Sequence, residues 1–124
     1  MSEVWAPLRQ VQHNNRGETR ARASFDAACG WFSGHFPEMP ILPGVALLEL
    51  VARMAQLPES QPVQVVGFRR VRFARPVHPG ETIELTLTPE PSPEQVCVRS
   101  FTVQCGGALV CRGIMDLSTA TSPP

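Results

Sequence analysis

The sequence has no lysine and no tyrosine, and all eleven of its basic residues are arginine. Without lysine the chain cannot form a Schiff base with a carbonyl substrate, and it has no phosphate-binding lysine of the P-loop type. Eleven acidic residues balance the arginines, so no overall field points to nucleic acid or to an anionic membrane. These absences leave histidines and carboxylates as the main candidates for chemistry.

Long hydrophobic runs are also missing. The longest mostly apolar segment, Pro43 to Ala52, is too short to cross a bilayer, and the first ten residues, MSEVWAPLRQ, do not resemble a secretory leader. The cysteines lack the spacing of a metal site, so we expect them to be small core residues in a reducing compartment. They are Cys29, Cys97, Cys105 and Cys111. The expectation is a soluble cytoplasmic protein without a metal.

The length of 124 residues and an apolar content of 43% suit one compact domain. We assign residues 1–117 to this domain. The small, polar and proline-rich residues 118–124 are predicted to form a disordered tail.

Six segments are rich in β-branched or aromatic residues, or alternate in polarity, and are predicted to be strands. They are Trp5–His13, Glu18–Phe25, Val63–Phe73, Glu81–Thr88, Gln95–Cys105 and Ala108–Leu117. Turn residues connect them, including Asn14 to Gly17 and Gly106-Gly107. The segment from Trp31 to Pro43 contains too many prolines and glycines for a helix or central strand, and is predicted to be an ordered loop.

One helix is predicted between Pro43-Gly44 and Leu57-Pro58, about three to four turns long. Apolar side chains surround it except for a narrow stripe formed by Glu49, Arg53 and Gln56. Strands on both sides of one buried helix indicate an α+β domain in which a mostly antiparallel six-stranded sheet wraps the helix, the hotdog architecture. Such a sheet covers only part of the helix, so a second subunit is expected to cover the rest.

His35 and Gly44 are the first two candidate site residues. Histidine titrates near neutral pH, so His35 can act as a base, although it can equally serve only to hydrogen-bond the loop. Gly44 would let a substrate carbonyl approach the unpaired N–H groups at the helix start, where developing negative charge is favoured. The alternative is that the glycine is needed only for a tight turn after Pro43.

Glu49 is the third candidate. A carboxylate inside an apolar helix is costly to bury unless it is paired or protonated, which suggests a chemical role. Arg53 lies four residues later on the same stripe, so an ordinary ion pair along the helix is the competing explanation.

These residues occur in a pattern that resembles a known family. Gly34 to Glu49 reads GHFPEMPILPGVALLE, and Val71 to Glu81 reads VRFARPVHPGE. Both segments resemble the 3-hydroxyacyl-acyl-carrier-protein dehydratases of the FabZ/FabA type, the second matching the form FRRPVxPGD with glutamate in place of aspartate. With glutamate at position 49, the chain resembles the FabZ-like subgroup rather than the FabA-like one.

The resemblance implies a homodimeric hotdog enzyme that removes water from a 3-hydroxyacyl thioester on acyl carrier protein and forms a trans-2-enoyl thioester. It implies no metal or diffusible cofactor. The substrate is carried on the phosphopantetheine of the carrier. By the same resemblance His35 takes the α-proton, the Gly44 N–H polarises the thioester carbonyl, and Glu49 of the opposite subunit assists departure of the hydroxyl.

Three departures from the family pattern bear on this interpretation. Arg53 stands where the family usually has glutamine, and its charge would make Glu49 a weaker proton donor. Activity would then be weakened, or Glu49 would work by positioning water, or Arg53 would point across the dimer toward the carrier-bound substrate. The family's longer N-terminal segment is not matched, which suits short enzymes of specialised pathways such as aryl polyene synthesis. Without tyrosine, an aromatic gate over the substrate would use Phe32, Phe36 or Phe68, although core packing is the competing role.

Four arginines precede or lie within the second motif, at Arg69, Arg70, Arg72 and Arg75. We expect Arg72 and Arg75 in particular to attract an acidic carrier protein or its phosphate, with a solvated strand face as the alternative. Two other functions stay open at this point, a hotdog thioesterase and a non-catalytic hotdog subunit of a heteromeric dehydratase.

Overall fold

The computed structural model describes residues 8–25, 44–57, 63–91 and 96–119. Six strands and one helix follow in chain order. They are β1 (Arg9–His13), β2 (Thr19–Ser24), α1 (Gly44–Gln56), β3 (Val63–Phe73), β4 (Thr82–Glu90), β5 (Val96–Cys105) and β6 (Ala108–Thr119).

The strands form one antiparallel sheet in the order β1-β2-β4-β5-β6-β3. Three neighbouring pairs are sequential, and the chain passes from β2 through α1 and β3 before it returns to β4. Strand β3 therefore lies at one edge of the sheet and β1 at the other. The six-stranded antiparallel sheet with one helix confirms the predicted hotdog fold.

Turn residues fix the register of the hairpins. The β1–β2 turn is closed by the N–H of Asn14, which donates to the carbonyl of Glu18 at 3.0 Å, and Gly17 has a φ of 83°. Between β5 and β6 the two turn residues, Gly106 and Gly107, both have positive φ values. Two such residues in succession match the twist of the flanking strands, which explains the tight connection.

The core lies between α1 and the inward face of the sheet. In β4 the side chains of Ile83, Leu85 and Leu87 are buried, whereas Glu84 between them is exposed. Opposite them, Leu50 and Met54 of α1 are fully buried. Buried and exposed side chains alternate along the strand, and the buried ones face one side of the helix. The predicted fold depends on this alternation.

The opposite side of α1 is open in the protomer. Val45 is 58% exposed, and a line of exposed or half-buried residues continues from it along the helix. The others are Leu48, Glu49, Ala52, Arg53 and Gln56. The predicted polar stripe is therefore part of a wider, partly apolar face.

The predicted element boundaries need small corrections. β1 begins at Arg9 rather than Trp5, and residues 5–7 lie outside the described residues. β6 continues to Thr119, two residues into the segment predicted to be a tail, because Ser118 pairs with Gln64 of β3 and Val96 of β5. The predicted loop from Trp31 to Pro43 also lies outside the described residues.

Three of the four cysteines are among the described residues, and all are free thiols packed in or against the core, as predicted. Burial raises the pKa of the Cys111 thiol to about 11, so it stays protonated near neutral pH. Cys29 lies outside the described residues. Within the described residues, the helix is not long and apolar enough to cross a membrane.

Candidate active site

The first turn of α1 faces a cavity of about 420 Å³. Helix residues Gly44 and Leu47 line one side, and the chain from Phe73 to Val77, at the end of β3, lines the other. The first N–H groups of a helix have no carbonyl partner within it, and the helix dipole makes this end attractive to negative charge. No acidic side chain occupies the first turn. Among the described residues, the cavity therefore combines a mostly apolar wall and one charged residue, Arg75, with the end of the helix that attracts negative charge.

Gly44 allows a close approach of Phe73. A Cβ atom added at Gly44 would lie 2.7 Å from Cζ and 2.8 Å from Cε1 of the Phe73 ring, distances that carbon atoms do not tolerate. The ring is itself 50% exposed. The glycine thus lets an aromatic ring lie against the helix start, which is a different reason from either alternative that the sequence suggested.

Phe73 was missed as a site residue by sequence reasoning, which named Phe32, Phe36 and Phe68. Its position at the end of a strand, directly before Ala74 in the second motif, was the available signal. Phe68 instead packs edge-to-face on Phe101, with ring centroids 6.0 Å apart and planes at 87°, so the structure gives it a core role. Phe32 and Phe36 lie outside the described residues.

Glu49 does not line the cavity of its own chain. It lies five residues after Gly44, about 140° further around the helix, and its side chain is 49% exposed. The expected burial of this carboxylate is therefore wrong for a single protomer, because the sheet covers the opposite side of α1. A second molecule packed on the open face would bury it.

Arg53 forms the ion pair with Glu49 that their spacing of four residues along the helix predicted. Its Nε atom lies 3.9 Å from Oε2 of Glu49, and the arginine side chain is 46% exposed. An exposed pair at this distance holds the carboxylate only weakly.

Glu81 is held much more firmly. Its carboxylate lies 2.8 Å from Nη2 of Arg75 and accepts a hydrogen bond from the N–H of His78 at 2.9 Å. The His78 hydrogen bond, and secondarily Arg75, lowers the pKa of Glu81 below its ordinary value. The N–H of Glu81 in turn donates to the carbonyl of His78 at 3.2 Å. The acid of the second motif therefore closes a turn and fixes Arg75.

The predicted arginine group divides into two. Arg69 forms a bidentate pair with Asp116, at 2.7 and 2.9 Å, and Arg75 is bound by Glu81. Arg72 is exposed on the sheet, where its direct strand partner is another arginine, Arg112. Only part of the group thus offers free charge to a partner.

His35 lies outside the described residues, so its role stays a prediction. Gly44, Glu49 and Arg53 lie on one helix, with Gly44 at the cavity and the pair of Glu49 and Arg53 on the open face. Among the described residues no group of three or more histidine, cysteine, aspartate or glutamate side chains could hold a metal ion.

Comparison with known proteins assigns the family. The profile of the ApeI-like family, described as ApeI dehydratase, matches residues 10–114. The chain belongs to the ApeI-like dehydratase family. This match covers every described strand except the first residue of β1 and the last residues of β6.

A curated relative of this ApeI-like chain is the 3-hydroxyacyl-[acyl-carrier-protein] dehydratase FabZ of Roseiflexus sp., which is 33% identical over 67% of the chain and 63% of the relative. Another FabZ, from Burkholderia lata, is 40% identical over 68 residues, which are 47% of the chain and 44% of the relative. The chain spans about half the length of the curated relatives it matches.

The fold of the ApeI-like chain is similar to that of the dehydratase heterocomplex ApeI:P from Xenorhabdus doucetiae. The TM-score is 0.75 at 24% identity, and the alignment covers 90% of this chain and 96% of the other. At this level of identity the likeness supports the fold alone.

Proposed function

We propose that this ApeI-like chain converts 3-hydroxyacyl thioesters into trans-2-enoyl thioesters with loss of water. The observation that carries the proposal is the cavity at the N-terminus of α1, lined by Gly44, where the first N–H groups of the helix have no carbonyl partner within it. A thioester α-proton is weakly acidic, so its removal requires donors at the carbonyl oxygen, where negative charge develops. The family membership and the FabZ relatives support the same reaction class.

The proposed reaction divides two proton transfers between two residues. His35 takes the proton from Cα, and the charge that develops on the thioester oxygen is stabilised by the N–H groups at Gly44. When the Cβ–O bond breaks, Glu49 donates a proton so that water rather than hydroxide departs. No metal or diffusible cofactor is needed for these steps.

Glu49 is proposed to reach the cavity of a second subunit. Within its own chain it lies on the open face of α1, away from Gly44. That face is partly apolar, with Val45 58% exposed, and β3 at the sheet edge exposes Val66 to 68%. A homodimer would cover such surface and would bring the acid of one chain toward the cavity of the other.

Acyl carrier protein, which the names of the FabZ relatives contain, is the proposed carrier of the substrate. The phosphopantetheine of the carrier would hold the acyl group. Arg72 remains a candidate for contact with it, whereas Arg75 is already engaged by Glu81. The same proposal places the protein in the cytoplasm and the reaction in a specialised pathway, such as aryl polyene synthesis.

The activity is tested by incubating the purified chain with a 3-hydroxyacyl carrier protein and following the absorbance of the enoyl thioester. A thiol-reactive dye in a parallel reaction detects hydrolysis. We expect enoyl product and no thiol release. Thiol release instead would identify a thioesterase, and product only after addition of a second hotdog subunit would identify a non-catalytic partner subunit.

The shared site is tested by mixing two inactive variants, His35→Ala and Glu49→Gln, after reversible dissociation. In a mixed dimer with sites built from both chains, one of the two sites regains both residues. Random reassociation then restores about a quarter of the wild-type activity, because about half of the dimers are mixed and each has one intact site. No recovery in dimers shown to be mixed would place both residues in the site of one chain.

A further inference from the structure

A second cavity lies on the face of the sheet turned away from α1. Arg72 of β3 and Arg112 of β6 are direct antiparallel partners, and both are exposed. Their neighbours in sequence, Phe73 and Cys111, pair on the helix side, with Cys111 fully buried. Because side chains alternate between faces, the two arginines point to the outer face. They line a cavity of about 590 Å³.

A bulge in β3 adds a third arginine to this cavity. Between the pairs Arg69–Ile114 and Arg72–Arg112, β3 has two residues where β6 has one. The first of them, Arg70, has a φ of 55°, which is uncommon for a residue with a side chain, and its side chain is exposed and lines the cavity. Bulges of this kind redirect side chains and are frequent beside functional sites.

The charges of these three arginines are not balanced within the described residues. Neither an ion pair nor a hydrogen bond links Arg70, Arg72 or Arg112 to another group there. Like charges directly opposite each other on neighbouring strands destabilise a sheet. Other arginines of the chain do have carboxylate partners, at 2.7 to 3.9 Å. These are Arg20, Arg22, Arg53, Arg69 and Arg75.

Hydroxyl groups complete the lining. Thr102 of β5 is the strand partner of Arg112, and Ser100 lies two residues before it. The Ser100 hydroxyl donates to Glu90 at 2.8 Å, so this carboxylate is engaged beside the cavity and does not line it. Thr102 is left as a further donor toward a bound anion.

We propose that this outer cavity binds a small, multiply charged oxyanion of the phosphate class, a phosphate monoester or a pyrophosphate. Guanidinium groups bind such oxygens in pairs, and a bound dianion would remove the repulsion between Arg72 and Arg112. The volume of about 590 Å³ lies within the range of small-molecule sites and favours a small ligand over a protein surface. The cavity lies on the face of the sheet turned away from the cavity proposed for the dehydration.

The proposal is tested by thermal unfolding with inorganic pyrophosphate, using sodium chloride to match ionic strength. We expect saturating pyrophosphate to raise the melting temperature of the wild type by about 3–5 °C. Arg112→Gln should melt slightly higher than the wild type without ligand, because one of two facing charges is gone, and should show no rise with pyrophosphate. Arg72→Gln should behave in the same way.

Arg16→Gln provides the matched control, because it removes one exposed arginine at the β1–β2 turn, away from the cavity. It should retain the pyrophosphate effect, and calorimetry should show at least about tenfold weaker binding for Arg112→Gln than for Arg16→Gln. An equal loss in both variants would mean attraction to net charge only. No rise in the wild type, or the same rise in Arg112→Gln, would also overturn the proposal.

Discussion

The carboxylates of Glu81 and Glu49 both lie beside an arginine, but they are constrained to different degrees. Glu81 lies 2.8 Å from Arg75 and also accepts a backbone N–H, in a turn that anchors β4. Glu49 lies 3.9 Å from Arg53 on the open face of α1. A carboxyl group held as the anion by an arginine and a backbone N–H is poorly placed to take up a proton and donate it to a substrate, whereas a weakly held carboxyl group can do so. The comparison suggests a structural role for Glu81 and a chemical role for Glu49.

The largest effect expected is that of Glu49→Gln on activity. Loss of a general acid should lower kcat for the dehydration by about 10²–10⁴-fold, while the melting temperature changes little because the side chain is half exposed. The enoyl assay and thermal unfolding measure the two quantities on the same sample. Glu84→Gln, which removes another exposed carboxylate from an ion pair, should leave activity unchanged. An equal loss of activity in Glu84→Gln would show that Glu49 has no special chemical role among the exposed carboxylates.

Gly44→Ala should have the next largest effect. The added Cβ would lie within 3 Å of the Phe73 ring, so the ring must shift across the helix start, and we expect kcat/KM to fall by about 10–100-fold. The double variant Gly44→Ala/Phe73→Leu separates two causes. If the ring alone is responsible, activity recovers, and if the methyl group blocks the approach to the N–H donors, it does not.

Glu81→Gln should affect stability rather than chemistry. The amide can still accept from the N–H of His78 but cannot pair with Arg75, so we expect the free energy of unfolding to fall by about 1–2 kcal/mol. Urea unfolding measures this change, and Glu84→Gln, in an exposed pair, should cost no more than about 0.5 kcal/mol. A kcat reduced in the folded protein as strongly as in Glu49→Gln would contradict the structural role.

The same carboxylate predicts a pH dependence of stability. Because the folded state lowers the pKa of Glu81 from its ordinary value of 4.5, its contribution is complete above pH 4.5 and is lost as the pH falls through the lowered pKa. Wild-type stability should therefore decline below pH 4.5 more steeply than that of Glu81→Gln. Parallel curves for the two proteins in urea unfolding at pH 3–6 would show that Glu81 is not responsible.

Arg53→Gln should have the smallest effect. The pair with Glu49 is long and exposed, so the free energy of unfolding should change by less than about 0.5 kcal/mol. We expect kcat to stay within a few-fold of wild type. A loss of activity as large as that of Glu49→Gln would instead make Arg53 part of the reaction machinery.

The fold was largely predictable because its signals are local. The helix from Gly44 to Gln56 begins directly after Pro43 and ends two residues before Pro58. β3 also has the predicted bounds. Both elements depend on residues adjacent in sequence. Strand ends were predicted less well, because the last residues of β6 pair with β3 and β5. Such pairing depends on residues far apart in sequence.

The candidate site was predictable in its residue types but less so in its arrangement. Gly44 was identified from its place before the helix, yet its contact with Phe73 joins residues 29 positions apart. Glu49 was expected to be buried, because the composition of the helix does not reveal which side the sheet covers.

The sequence by itself determined the elements of this protein, its hairpin turns and the acid, glycine and arginine residues available for chemistry, because short-range periodicity and backbone preferences are written in neighbouring residues. Only the tertiary structure decided that Phe73 covers Gly44, that Glu49 faces outward and that Arg72 meets Arg112. These facts follow from strand register and from the side of the helix that the sheet covers, which long-range packing sets.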